Sequence, residues 1–225
     1  MGSHSQSSWR ERIGDYRFTV LLASLLLLVL APLVVSDQRS VVFRAGLFVV
    51  LLFGVLSVLD HRRARVVMVA LGILAGLSQA TTFLYGLEFF PQLRFGLIVA
   101  FFSFMAAIIV SDVLRAEVIT WDRIQGAICA YLLFGVAWGV LYGWVALVDP
   151  QAFSGAVGAA GSGEPMIYYS FVTLTTLGYG DITPVSYTAR TLSWLEAAFG
   201  QIYLVVLVAH LVSRQLTHSS RDKQP

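Results

Sequence analysis

Six long apolar stretches divide the chain, residues 18–35, 41–59, 66–84, 95–113, 124–148 and 186–212, each bounded by polar or charged residues. About 20 apolar residues in an α-helix cross the ~30 Å hydrocarbon layer of a bilayer, so each stretch is predicted to be a spanning helix. The first is longer than the apolar core of a secretory leader and lacks a clear small-x-small cleavage site, which favours a retained span. Between the fifth and sixth stretches the pattern breaks twice. Residues 149–164 are rich in Gly, Ala and Ser, a flexible outer segment. Pro165 then opens a shorter apolar run that ends in a glycine-rich return closed by Asp181 and Pro184. Proline suits the first position of a helix, so the run predicts a helix crossing about half the membrane. The expected fold is an all-α membrane protein, six transmembrane helices with a re-entrant helix and loop between the fifth and sixth.

Composition agrees with the pattern: 57% of the 225 residues are hydrophobic, 12% are charged, and the mean hydropathy is +0.77. A soluble domain carries about twice that charge. The basic residues fall beside the apolar runs rather than in a block, and a net charge of +2 gives no reason to expect a nucleic-acid partner. With both termini inside, Arg10, Arg12, Arg17, Arg62, Arg63, Arg65, Arg115, Arg123, Arg214, Arg221 and Lys223 are cytoplasmic, and Arg39, Arg44, Arg94 and Arg190 are outside. Eleven against four fits the rule that cytoplasmic loops are the basic ones. The absence of asparagine leaves no N-glycosylation acceptor, and the dominance of arginine over lysine suggests a GC-rich bacterial source, hence a bacterial inner membrane. The lone Cys129 excludes a disulfide within the chain. No metal-ligand spacing, nucleotide loop or nucleophile constellation gives an enzyme or a cofactor anything to work with.

The return itself reads Thr175-Thr176-Leu177-Gly178-Tyr179-Gly180-Asp181. Glycine at alternate positions lets successive carbonyls turn to one side, which other residues reach only with strain. Four copies around an axis would stack rings of carbonyl oxygens able to replace the water shell of a cation, with the Thr176 hydroxyl adding a further ring. With these residues and the helices on either side, the stretch from Pro165 to about Val212 resembles the pore module of potassium channels, of the bacterial six-span type. The resemblance implies a homotetramer in membrane lipid that passes K+ passively, K+ sites at Thr176, Leu177, Gly178 and Tyr179, and a selectivity filter over 176–180 that includes Gly180. Potassium ions are then cargo. Leu177 stands where valine is commoner, a swap of aliphatic side chains.

The same resemblance places a pore helix at 165–175, and makes Thr175, Asp181, Tyr168 and Tyr169 supports of the filter, the tyrosines together with Tyr179 forming an aromatic cuff. It also makes Gly200 an inner-helix hinge. The domains follow: a cytoplasmic segment 1–17, a four-helix peripheral domain 18–113, a cytoplasmic linker 114–123, a pore domain 124–213 and a cytoplasmic tail 214–225. Glu196, an ionisable residue within an apolar helix, is a functional candidate by default. It is expected behind the filter, bonded to Thr173, Thr175 or nearby backbone; the alternative is a ring of carboxyls on the axis. Gly135, Gly139 and Gly143 recur every four residues, which reads equally as a seam for close approach of the inner helix or as the ordinary frequency of glycine in membrane helices. The fourth stretch carries no arginine repeat at membrane depth, so steep voltage gating is not expected. His210 and His218 lie near the inner mouth. Two other readings remain open: a nonselective or sodium-permeant cation channel, and a filter-bearing subunit of a potassium uptake transporter.

Overall fold

The computed structural model describes residues 18–30, 46, 49, 50, 52, 54, 62–85, 91–115, 120–155 and 163–221. Its elements are α1 (Phe18–Leu30), α2 (Arg62–Tyr85), α3 (Pro91–Arg115), α4 (Trp121–Val148), β1 (Phe153–Gly155), α5 (Gly163–Leu174), β2 (Ile182–Pro184) and α6 (Tyr187–Arg221). Among the described residues, three helical segments are long and apolar enough to cross a membrane: Gln92–Arg115, Trp121–Val148 and Tyr187–Arg214. Phe18–Leu30 and, within α2, Ala64–Ser78 are shorter apolar helical stretches. Most of the second apolar stretch, the N-terminal segment and the centre of the linker lie outside the described residues.

Local chemistry explains where α4 begins and ends. Thr120 has extended backbone and its hydroxyl accepts from the Arg123 N–H, a side-chain cap on an otherwise orphaned donor, with Asp122 in the first turn. At the other end the Asp149 N–H donates to the Val145 carbonyl, and the Asp149 carboxylate then accepts from the Gln151 N–H at 3.1 Å, bending the chain out of the helix. The main core joins Phe18, Leu21 and Leu25 of α1 to Phe101, Phe102 and Met105 of α3 and to Leu133 and Val136 of α4. A second core lies around Tyr142, Phe153, Met166, Tyr169 and Ile182.

Several boundaries differ from expectation. α4 starts at Trp121 rather than 124, because the Thr120 cap reaches back past the first apolar residue. α5 spans Gly163–Leu174 rather than 165–175, so Pro165 sits inside the first turn, where its missing N–H has no intrahelical partner to lose. α6 runs on to Arg221, past the expected start of the tail at 214. Polar Arg, Gln, Thr, His and Ser residues do not stop a helix that Gly or Pro has not interrupted.

The segment expected to be wholly flexible contains a strand. β1 pairs antiparallel with β2 in the register Phe153 to Pro184, Ser154 to Thr183 and Gly155 to Ile182. The Val185 N–H adds a bond to the Ala152 carbonyl, and the Ser154 and Thr183 hydroxyls meet at 2.7 Å. At Gly155 φ is +103°, and a Cβ there would lie 1.9 Å from the Asp181 carbonyl oxygen, so the ribbon closes only on glycine. The ribbon therefore joins the end of α4 to the chain just after the return. Ser186 then caps α6, its hydroxyl accepting from the Ala189 N–H at 3.1 Å.

Candidate functional site

The return hangs from the C-terminal end of α5. A helix leaves its last carbonyls without partners, and here the N–H groups of the return supply them. Thr175 N–H donates to Phe171, Thr176 N–H to Thr173 at 2.9 Å, and both Leu177 N–H (2.9 Å) and Gly178 N–H (3.3 Å) to Val172. In a trans peptide the N–H and the carbonyl of the same unit point in opposite directions. The carbonyls of Thr175, Thr176 and Leu177 therefore face away from α5.

The sign of φ continues this arrangement. Thr176 (+58°), Gly178 (+59°) and Gly180 (+80°) are left-handed, and Leu177 and Tyr179 between them are not. Alternation of hand turns successive carbonyls toward one side of the strand. All residues from Thr175 to Asp181 are exposed in the single chain, including Leu177 (54%) and Tyr179 (68%). At the outer end, the Tyr168 hydroxyl donates to the Asp181 carboxylate at 2.7 Å, tying α5 to the residue that follows the return.

Behind the return lies a buried polar group. Glu196 of α6 is fully buried and turned toward α4 and α5. Tyr142 of α4 donates to its Oε2 at 2.7 Å, and Ser170 Oγ of α5 lies 2.5 Å from its Oε1. Ser170 Oγ is also 2.7 Å from the Gly135 carbonyl oxygen of α4. The carboxyl's partners are thus Ser170 and Tyr142 rather than Thr173 or Thr175. Tyr169 does not reach Glu196 either; its hydroxyl meets Ser193 Oγ at 2.6 Å, and Ser193 donates to the Ala189 carbonyl. The Tyr131 hydroxyl donates to the Leu174 carbonyl at 3.3 Å, another link from α4 to the end of α5.

The glycines of α4 face a neighbour other than the one expected. A Cβ at Gly135 would meet the Phe171 ring at 2.6 Å, and one at Gly139 would meet Ile167 Cα at 2.6 Å. Both neighbours belong to α5, so the stripe seats the half-membrane helix, not the inner helix; Gly143 faces Phe95 of α3. Gly200 of α6 fits against the last residue of α5, where a Cβ would lie 2.6 Å from the Leu174 carbonyl oxygen. α6 is uninterrupted helix through this point. Ser170, Tyr142, Ser193 and Tyr131 were not singled out from the sequence. Hydroxyls in apolar helices carry no signal until the helix facing them is known.

The site is thus a short helix seated between two helices long and apolar enough to cross a membrane, with an exposed glycine-containing return whose Thr176, Leu177 and Gly178 amides donate to that short helix. The family model described as ion channel matches residues 126–216, which run from α4 through α6. No curated protein and no solved structure matches the chain.

Proposed function

We propose that the protein is a potassium-selective channel in which four copies of the chain surround one conduction path and K+ passes down its gradient. The observation that carries this reading is the return from Thr176 to Gly180. The Thr176, Leu177 and Gly178 amides are committed to α5, which turns the Thr176 and Leu177 carbonyls away from it, and the alternating sign of φ supports the Gly178 and Tyr179 carbonyls as the continuation of that row of oxygen ligands. One chain supplies only one such row, and a dehydrated cation needs ligands on all sides.

Two further features support assembly and orientation. Of the most apolar 18-residue window of α6, 11% is buried within the chain, against 50% for α4, so α6 has a face to give to neighbours. The C-terminal end of α5 meets the return, so the negative end of its dipole favours a cation there. Inside α3 the only basic residues, Arg94 and Arg115, are near its ends, and Arg94 lies over the Phe95 ring at 5.0 Å. That supports a channel without a steep response to voltage. The inner-helix hinge at Gly200 belongs to the same reading, as do the supports Thr175, Tyr168, Tyr169, Asp181 and Glu196.

Purified protein in planar bilayers, with K+ on one side and Na+ on the other, tests the proposal. A reversal potential close to that of a K+ electrode is expected. A reversal potential near zero would give a nonselective channel, and a shift toward the Na+ value would give a sodium-permeant one.

A further inference from the structure

The site behind the return has three hydrogen-bond links in a row: Tyr142 Oη to Glu196 Oε2, Glu196 Oε1 to Ser170 Oγ, and Ser170 Oγ to the Gly135 carbonyl oxygen, at 2.7, 2.5 and 2.7 Å. Each link needs one proton. With Glu196 ionised, the row holds two, one on Tyr142 and one on Ser170. The Gly135 carbonyl can only accept, so the Ser170 proton has to go there, and the contact between Ser170 and Glu196 is left as two lone pairs facing each other. If Ser170 turns to the carboxylate instead, the same opposition arises at Gly135.

The surroundings give an ionised carboxyl no other help. Glu196 is fully enclosed within its own chain, so neither bulk water nor a second copy reaches it. The groups facing it are the hydroxyls of Tyr142 and Ser170, and among the described residues no Lys, Arg or His pairs with it. Of the further polar groups around it, Ser193 is hydrogen-bonded to Tyr169, Tyr142 and the Ala189 carbonyl, and neither it nor the Tyr131 and Tyr169 hydroxyls brings a positive charge. A buried charge without a counter-charge is the least favourable way to fill such a site.

We propose that Glu196 is held as a neutral carboxylic acid, its Oε1–H donating to Ser170, so that one unbroken chain of donors runs from Tyr142 through Glu196 and Ser170 to Gly135. Three helices are then joined by a single proton: α4 at both ends, α5 at Ser170 and α6 at Glu196. Glu196 is a positioning residue. It touches no ion and acts by fixing α5, whose C-terminal carbonyls hold the return; this last step rests on the channel reading, while the protonation state does not.

Glu196→Gln separates the two states. An amide keeps one acceptor for Tyr142 and one N–H for Ser170, so it copies the acid but not the carboxylate. Infrared difference spectra of the full-length protein in lipid, wild type minus E196Q at neutral pH, are expected to show a carboxylic-acid carbonyl band, and E196Q is expected to keep the wild-type melting temperature while Glu196→Ala loses it. Loss of carboxylate bands alone in E196Q, or an E196Q protein as unstable as E196A, would overturn the proposal. Should E196Q not fold, Tyr142→Phe retains the acid and removes its donor: a shifted acid carbonyl band supports the assignment, and no acid band refutes it. Ion selectivity is measured separately, so an acid band in a channel that does not prefer K+ would leave this assignment standing and remove the filter reading.

Discussion

Thr176 is the one non-glycine among the described residues with positive φ, and a β-branched side chain in that region is strained by about 1–3 kcal/mol. Its neighbours impose the conformation, because the Thr176 and Leu177 amides are both held by carbonyls of α5. Thr176→Gly should therefore leave the protein at least as stable, by melting temperature, while permeability ratios for K+ over Na+ fall as the hydroxyl ring is lost. Gly178 gives the opposite case. Nothing lies within 4 Å of its missing Cβ in the single chain, so Gly178→Ala is opposed within the chain by φ alone, at about 1–2 kcal/mol. The fold should survive that, and the carbonyl row should not: reversal potentials are expected to lose their K+ preference, and an unchanged preference would remove Gly178 from the filter. The spacing of these glycines was readable from the sequence because only glycine reaches such angles cheaply. The third left-handed residue was hidden, since threonine announces nothing of the kind.

At the level of elements, the strip of α4 glycines and the ribbon show what a linear pattern does and does not carry. Four-residue spacing at Gly135 and Gly139 was compatible with a close approach, but spacing names no partner, and the partner is α5. Gly139→Leu would push a side chain into the Ile167 backbone and should cost the 1–3 kcal/mol of an overpacked site, or more. Thermal unfolding in detergent checks the cost, and a shift no larger than that of an exposed Gly→Leu change would contradict the packing. The ribbon had no signal at all. Three-residue strands flanked by Gly and Ser look like a loop, and their pairing joins residues about thirty apart through backbone bonds that side-chain pattern does not encode. Gly155→Ala meets both a backbone oxygen and an unfavourable φ. Faster hydrogen exchange at Thr183 and Val185, whose amides fall in the bonded pairs of this register, is the expected result, with the helices unaffected.

For the whole molecule, the absence of charge between Arg94 and Asp112 of α3 predicts a shallow dependence of open probability on voltage, since each charge moved through 100 mV contributes about 2.3 kcal/mol. An effective gating charge of many elementary units in single-channel recordings would contradict that. How the chain is threaded across the bilayer depends on the count of basic residues, and Cys129 makes that count testable. It is the sole cysteine, its side chain is fully buried, and its Sγ faces the Phe18 carbonyl at 3.6 Å. A thiol placed elsewhere would thus be the only one a water-borne reagent encounters. The native sequence is already a silent background for sided labelling: Thr183→Cys on the ribbon should react with an impermeant maleimide added outside intact cells, and Arg214→Cys near the far end of α6 only after the membrane is opened.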